Sequence, residues 1–143
     1  MSRALLDINV LLALFDSDHI DHRRAHEWLD TEIGSGWASC PITQNGFVRV
    51  ISQPRYPNPI APHDAIGRLG RACATEHHEF WACDVSVLDP DQIDPSRIHG
   101  PRQLTDAYLL SLAIANRGRF VTFDQSVPLA AVPSADEAAL VVI

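Results

Sequence analysis

The chain contains no lysine: all eleven of its basic residues are arginine, against eighteen acidic ones. That absence removes several enzymes that act on phosphate from an α/β sheet. A P-loop NTPase needs a lysine on the nucleotide phosphates, as do receiver domains and aspartyl-phosphate phosphatases of the haloacid dehalogenase type. Schiff-base chemistry has no side-chain amine to use. Cysteine is scarce too. Cys40, Cys73 and Cys83 are odd in number and lack C-x-x-C spacing, so they read as buried free thiols and not as a disulfide framework or a zinc site. No apolar run approaches the ~18 residues that span a bilayer, and no membrane association is expected. Positive charge is also short. The formal net charge of −7 argues against tight nonspecific nucleic-acid binding, which depends on neutralising phosphates with basic residues. Met1-Ser2-Arg3 leads straight into a strand-like run and leaves no room for a signal peptide, so a cytoplasmic location is expected.

What is present is a set of three aspartates, each placed where an apolar run ends or an apolar helix begins. Leu5-Leu6-Asp7, Thr105-Asp106 and Phe120-Val121-Thr122-Phe123-Asp124 read as carboxylates aimed at one rim of a buried parallel sheet. Ligands of open α/β sheets bind at the carboxyl ends of the strands. Carboxylates converging there would repel one another without a cation between them, and the simplest reading is a hard divalent metal. Taken singly, Asp7 could cap the helix beginning near Asn9, and Asp106 could decorate a helix start. Asn9 either lines the site or shapes the turn, and Thr105 and Thr122 suit capping or strand roles.

The remaining pattern supports one domain over residues 1–143, with an apolar fraction of 46% that is ordinary for a soluble globular chain. Strands are expected at 4–6, 37–40, 80–82, 120–123 and 139–143. Helices are expected at 10–15, at 21–33 with Gly34 as a stop, from Pro41 with Phe47, Val48 and Ile51 on one face, at 64–76, and from an N-cap at Thr105 to about Arg117-Gly118. The proline-rich 53–62 segment reads as a loop, and 89–101 as a loop with one helical turn. Strands alternating with helices predict a three-layer α/β/α domain with a mostly parallel sheet of about five strands.

Four segments together carry a resemblance: Leu-Leu-Asp-Ile-Asn-Val-Leu-Leu-Ala-Leu at the N-terminus, Cys-Pro-Ile-Thr-Gln-Asn-Gly-Phe-Val-Arg-Val in the middle, Leu-Thr-Asp-Ala-Tyr-Leu-Leu-Ser-Leu-Ala, and Val-Thr-Phe-Asp. The chain resembles a PIN domain and, more narrowly, the VapC toxins of bacterial toxin-antitoxin pairs. The resemblance implies a Mg²⁺- or Mn²⁺-dependent endoribonuclease that cleaves RNA with activated water and is inhibited by a cognate VapB-type antitoxin. It also implies a homodimer. Asp7 matches the first family acid, Asp106 the third and Asp124 the fourth, and these three would hold the metal. Near a helix N-terminus, Asp106 is expected to be held ionised by the macrodipole. The family's second acid, usually glutamate, falls at Gln44, a neutral amide that can coordinate or hold water but cannot act as a base. Gln44 therefore motivates a rival, a non-catalytic PIN-like module that binds RNA or protein. A metal-dependent phosphohydrolase of small molecules is a second.

Other signals are weaker. His19, His22 and His26 share a helix face, but their charged neighbours Asp18, Asp21, Arg23 and Arg24 favour a solvated face over a zinc site. His77-His78 precedes a strand and has no partner spacing. Arg49, Arg55, Arg97 and Arg102 are candidates for gripping RNA phosphate, because guanidinium binds phosphate bidentately. Tyr56 and Trp81 could stack on a base, with core packing the safer reading for Trp81.

Overall fold

Most of the short apolar runs become strands because both of their faces are covered. In the computed structural model, which describes residues 2–143, the strands are β1 (Ala4–Leu6), β2 (Trp37–Ser39), β3 (His78–Phe80), β4 (Arg119–Thr122) and β5 (Leu140–Val142). They form one sheet in the order β3-β2-β1-β4-β5, with every pairing parallel. Parallel neighbours need crossover connections. Helices α1 (Ile8–Phe15) and α2 (His22–Glu32) join β1 to β2, α3 (Pro41–Ile51) and α4 (Pro62–Cys73) join β2 to β3, and α5 (Leu104–Ala115) precedes β4. The expected α/β/α class is the one observed.

The period of two along each strand sorts the layers. Ala4, Leu6, Trp37 and Val121 pack with Val10, Leu11, Phe47 and Leu69 beneath α1, α3 and α4. Leu5, Ala38 and Phe120 face the other way, onto Leu109, Leu110 and Leu112 of α5. Helix α5 is apolar on most sides because a further layer covers it: Val127, Val132 and Ala139, from the segment between β4 and β5, belong to the same cluster.

Several boundaries differ from expectation for identifiable reasons. The third strand occupies His78–Phe80 and not 80–82, because its ladder with β2 runs from Trp37↔His78 to Ser39↔Phe80. Trp81 then leaves the strand to be buried at 3% exposure in the α5 layer. Helix α4 starts at Pro62, where proline suits the first turn, and stops at Cys73. Thr105 is not the cap of α5. A 3₁₀ turn over Pro101–Gln103 runs directly into the helix, so Leu104 is already helical and Gln103 takes the capping position. The histidine face is docked, not solvated: His22 Nδ1 lies 2.7 Å from the Ala13 carbonyl and His26 Nε2 2.8 Å from that of Leu14. These carbonyls lie in the last turn of α1, where no helical donor remains for them.

The strand order fixes where a ligand can sit. The chain builds outward from β1 to β3, then returns to lay β4 against the opposite side of β1. The switch point of the sheet therefore lies between β1 and β4, where ligands of such sheets bind.

Candidate active site

Asp7 leaves the end of β1 and caps α1. Its Oδ1 accepts from the Ile8 amide at 2.7 Å, and its Oδ2 accepts from Thr122 Oγ1 at 2.7 Å. The Thr122 hydroxyl, fully buried at the end of β4, also accepts from Asn9 Nδ2 at 3.2 Å and from the Asp124 amide at 3.0 Å. Asn9 Oδ1 in turn accepts from the Phe123 amide at 3.4 Å. One buried hydroxyl thus joins the end of β1, the first turn of α1 and the end of β4 across the switch point. Asn9 and Thr122 are orienting groups, a role that the sequence left open. Burial, at 7% exposure, pushes the Asp7 carboxyl above its ordinary range, while Thr122 and the Ile8 amide pull it back.

Asp124 lies two residues beyond β4, in a turn of its own. Its Oδ1 accepts from the Ser126 amide at 2.8 Å and the Ser126 hydroxyl at 2.6 Å, which hold it below the usual carboxylate range. Sequence reasoning passed over Ser126, although an Asp-x-Ser step after a strand is the pattern of a side-chain-to-backbone turn. Asp106 sits in the first turn of α5, close enough to Asp7 and Asp124 for their charges to act on it. The expectation that the helix dipole holds Asp106 ionised is overturned. Burial first, then the charges of Asp7 and Asp124, push its pKa up to about 7. A dipole at a helix end contributes roughly 0.3–1 kcal/mol, too little against two nearby carboxylates.

None of the ion pairs formed among the described residues involves Asp7, Asp106 or Asp124. The three share a field of negative charge with no cationic side chain to balance it. No three His, Cys, Asp or Glu side chains among the described residues are grouped closely enough to form a preformed cage. Oxygen donors only, with uncompensated charge, fit a hard divalent ion such as Mg²⁺ or Mn²⁺.

Gln44, on the first turn of α3, is bonded away from these acids: its Nε2 donates to Ser39 Oγ at 2.9 Å. Arg49 is exposed on the last turns of α3, Arg55 lies in the proline-rich loop, and Arg97 and Arg102 occupy exposed turns leading into α5. Tyr56 is committed elsewhere, donating to Asp16 Oδ2 at 2.6 Å. The thiols of Cys40, Cys73 and Cys83 are free.

A five-stranded parallel sheet with acids gathered at its switch point describes a PIN domain, and the family model for the PIN domain matches residues 4–133. Ribonuclease VapC44 of Mycobacterium tuberculosis is 66% identical over 133 residues, covering 93% of this chain and 94% of that protein. Ribonuclease VapC38 of the same organism is 46% identical over 87% of this chain and 86% of its own length. The chain belongs to the PIN-domain family and, within it, to the VapC group. The crystal structure of VapBC2 from Rickettsia felis bound to a DNA fragment from their promoter matches with a TM-score of 0.61, covering 98% of this chain and 96% of that one. At 13% identity that likeness is one of fold.

Proposed function

We propose that the chain is a metal-dependent endoribonuclease, the toxin of a VapBC-type toxin-antitoxin pair, acting on RNA at the rim formed by Asp7, Asp106 and Asp124. The observation that carries this reading is the convergence of three carboxylates at the sheet's switch point without a balancing cation. The names of the VapC ribonucleases, similar over nearly the whole chain, supply the substrate class. Asp7, Asp106 and Asp124 would hold Mg²⁺ or Mn²⁺, which when bound opposes the phosphate's negative charge and lowers the pKa of a water.

The chain's own residues do the rest by holding and releasing protons. Thr122 and the Ile8 amide engage both oxygens of Asp7, fixing its plane. Ser126 holds Oδ1 of Asp124 and leaves Oδ2 outside that turn. Asp106 keeps a proton near neutrality when the rim carries only negative charge, and a cation there would compete for the same oxygen. Gln44 contributes no charge, so the rim would grip its ion with three formal charges and not four. A VapB-type antitoxin, a homodimer and a cytoplasmic setting belong to the same proposal; no helix among the described residues is long and apolar enough to cross a membrane.

The test is cleavage. Purified chain with total RNA and Mg²⁺ or Mn²⁺ should give discrete fragments that EDTA abolishes. The Asp7→Asn variant should give none, because asparagine caps a helix as well as aspartate does but lacks its charge. RNA binding without cutting at any metal concentration would leave a binding module instead. Faster hydrolysis of mononucleotides than of RNA would make the chain a small-molecule phosphohydrolase.

A further inference from the structure

The side of α2 that meets α1 decides what its other side presents. His22 and His26 reach the Ala13 and Leu14 carbonyls at 2.7 and 2.8 Å, and at about 100° per residue Arg24, two positions from each, leaves the helix on the opposite side. That side meets the end of β4. The Arg24 guanidinium carbon lies over the Phe123 ring, 4.8 Å from its centroid, and Phe123 directly precedes Asp124. Phe123 is itself fastened to the site, since its amide donates to Asn9 Oδ1 at 3.4 Å. Val121 and Phe123 pack on the α1 side of the sheet, whereas Phe120 faces α5 and Thr122, of the same parity, reaches Asp7. Arg24 therefore stands across the tip of β4 from the acids. On covalent dimensions its guanidinium lies at most about 13 Å from the Asp124 Cα.

Among the ion pairs and cation–aromatic contacts of the described residues, Arg24 is the only cation that touches the chain where it leaves the carboxyl end of a strand. Arg3 precedes β1 and Arg119 opens β4, so both stand at amino ends, engaged by Glu79 and Glu32. Arg49, Arg55, Arg97 and Arg102 make no such contact among the described residues. A strand of phosphates approaching three unbalanced carboxylates, in a chain of net charge −7, meets repulsion that a cation beside the rim offsets. The stack suits that task, because a guanidinium lying on an aromatic face keeps its N–H edge for phosphate. Asp21 takes one of its five donors, with Arg24 Nη2 2.8 Å from Asp21 Oδ1. The two side chains are 56% and 28% exposed, and such surface pairs contribute little. A phosphate can share the guanidinium or displace the carboxylate at small cost.

We propose that Arg24, stacked on Phe123, binds a backbone phosphate of the RNA on the side of β4 away from the acids, and that Asp21 competes with that phosphate for the guanidinium. This rests on the ribonuclease reading. The substrate then crosses the tip of β4, with its reacting phosphate at the acids and a neighbouring one on Arg24. A backbone contact of this kind sets the position and direction of the strand and carries no sequence preference of its own.

The test follows cleavage of a synthetic single-stranded RNA, carrying one site cut in total RNA, by the full-length chain at several NaCl concentrations with Mg²⁺ or Mn²⁺ held constant. Arg24→Gln should raise KM about fivefold at low salt and change kcat by less than about twofold. It should also flatten the dependence of log KM on the logarithm of NaCl concentration by about 0.7, the share of one phosphate contact on a single strand. Arg23→Gln, which removes the adjacent exposed cation, should do neither. Phe123→Leu, which keeps apolar bulk and loses the aromatic face, should reproduce part of the KM rise. Asp21→Asn should lower KM in the wild-type background and leave it unmoved beside Arg24→Gln. The inference fails if Arg24→Gln keeps the wild-type KM and salt slope, or shifts them no further than Arg23→Gln does. It also fails if Arg24→Gln lowers only the Tm, as a mere brace for α2 would, or only kcat, as a group acting in the chemistry would. A wild-type chain that cuts no RNA overturns the ribonuclease reading and this one together, whereas cutting with an unmoved salt slope in Arg24→Gln overturns this one alone.

Discussion

Asp106 is where a proton and the proposed cation would contend for the same carboxylate, and the proton's side of that contest sets a dependence on pH. Its pKa is raised from 3.8 to about 7, so the stability it contributes is fully present below about pH 4 and is lost as pH rises through about 7. Metal-free protein should melt at a higher temperature at pH 5 than at pH 8. Asp106→Asn should remove most of that difference, raising the Tm at pH 8 by roughly 3 °C, on the order of 1 kcal/mol once screening at this partly exposed position is allowed for. The same variant should lose RNA cleavage. Calorimetry at the two pH values, with EDTA, reads the first effect; a Tm of Asp106→Asn below wild type at pH 8 would contradict it. The acids themselves were legible in the sequence because each ends or begins an apolar run. Their protonation was not, since it depends on how near Asp7, Asp106 and Asp124 come, and residues separated by 99 and 18 positions carry no signal of that distance.

At the scale of elements, the close approach of α1 and α3 rests on one missing side chain. A Cβ added at Gly46 would run into Ile8, the first residue of the helix that Asp7 caps. Gly46→Ala should therefore destabilise the fold by about 1–3 kcal/mol, the usual scale of overpacking, and should depress cleavage further because α1 carries Asp7 with it. Urea titration of the variant beside Ile8→Ala/Gly46→Ala separates the two causes: the double variant should recover part of the loss, and an equally unstable double variant would argue against the overlap. The sequence showed β1, β2 and β4 clearly because all their residues are buried. It misplaced β3, an edge strand with its outer side uncovered. There the strongest apolar signal, Phe80-Trp81, marks where the chain leaves the sheet, and the true start is the polar His78, held by Ser39.

For the molecule as a whole, an ion at the rim should act as a ligand of the folded state alone. At a hundred times its Kd such a ligand adds about 2.7 kcal/mol, which for a chain of this size is a Tm increase of roughly 5–10 °C. Melts with Mn²⁺, Mg²⁺ and EDTA should show this shift in wild type and a smaller one in Asp7→Asn; a Tm indifferent to both metals would remove the ion from the proposal. The order of motifs along the chain was enough to place the family, whereas the Arg24–Phe123 contact was invisible, because it exists only where the start of α2 comes to lie against the end of β4. The strand order also has a consequence for synthesis. Thr122 can reach Asp7 only after β4 has been inserted beside β1, so the reactive centre needs residues from both ends of the chain. At about 5–20 residues per second, several seconds separate the emergence of the first acid from that of the last. During that interval the proposed acidic rim is incomplete, although α1 to α4 have already emerged.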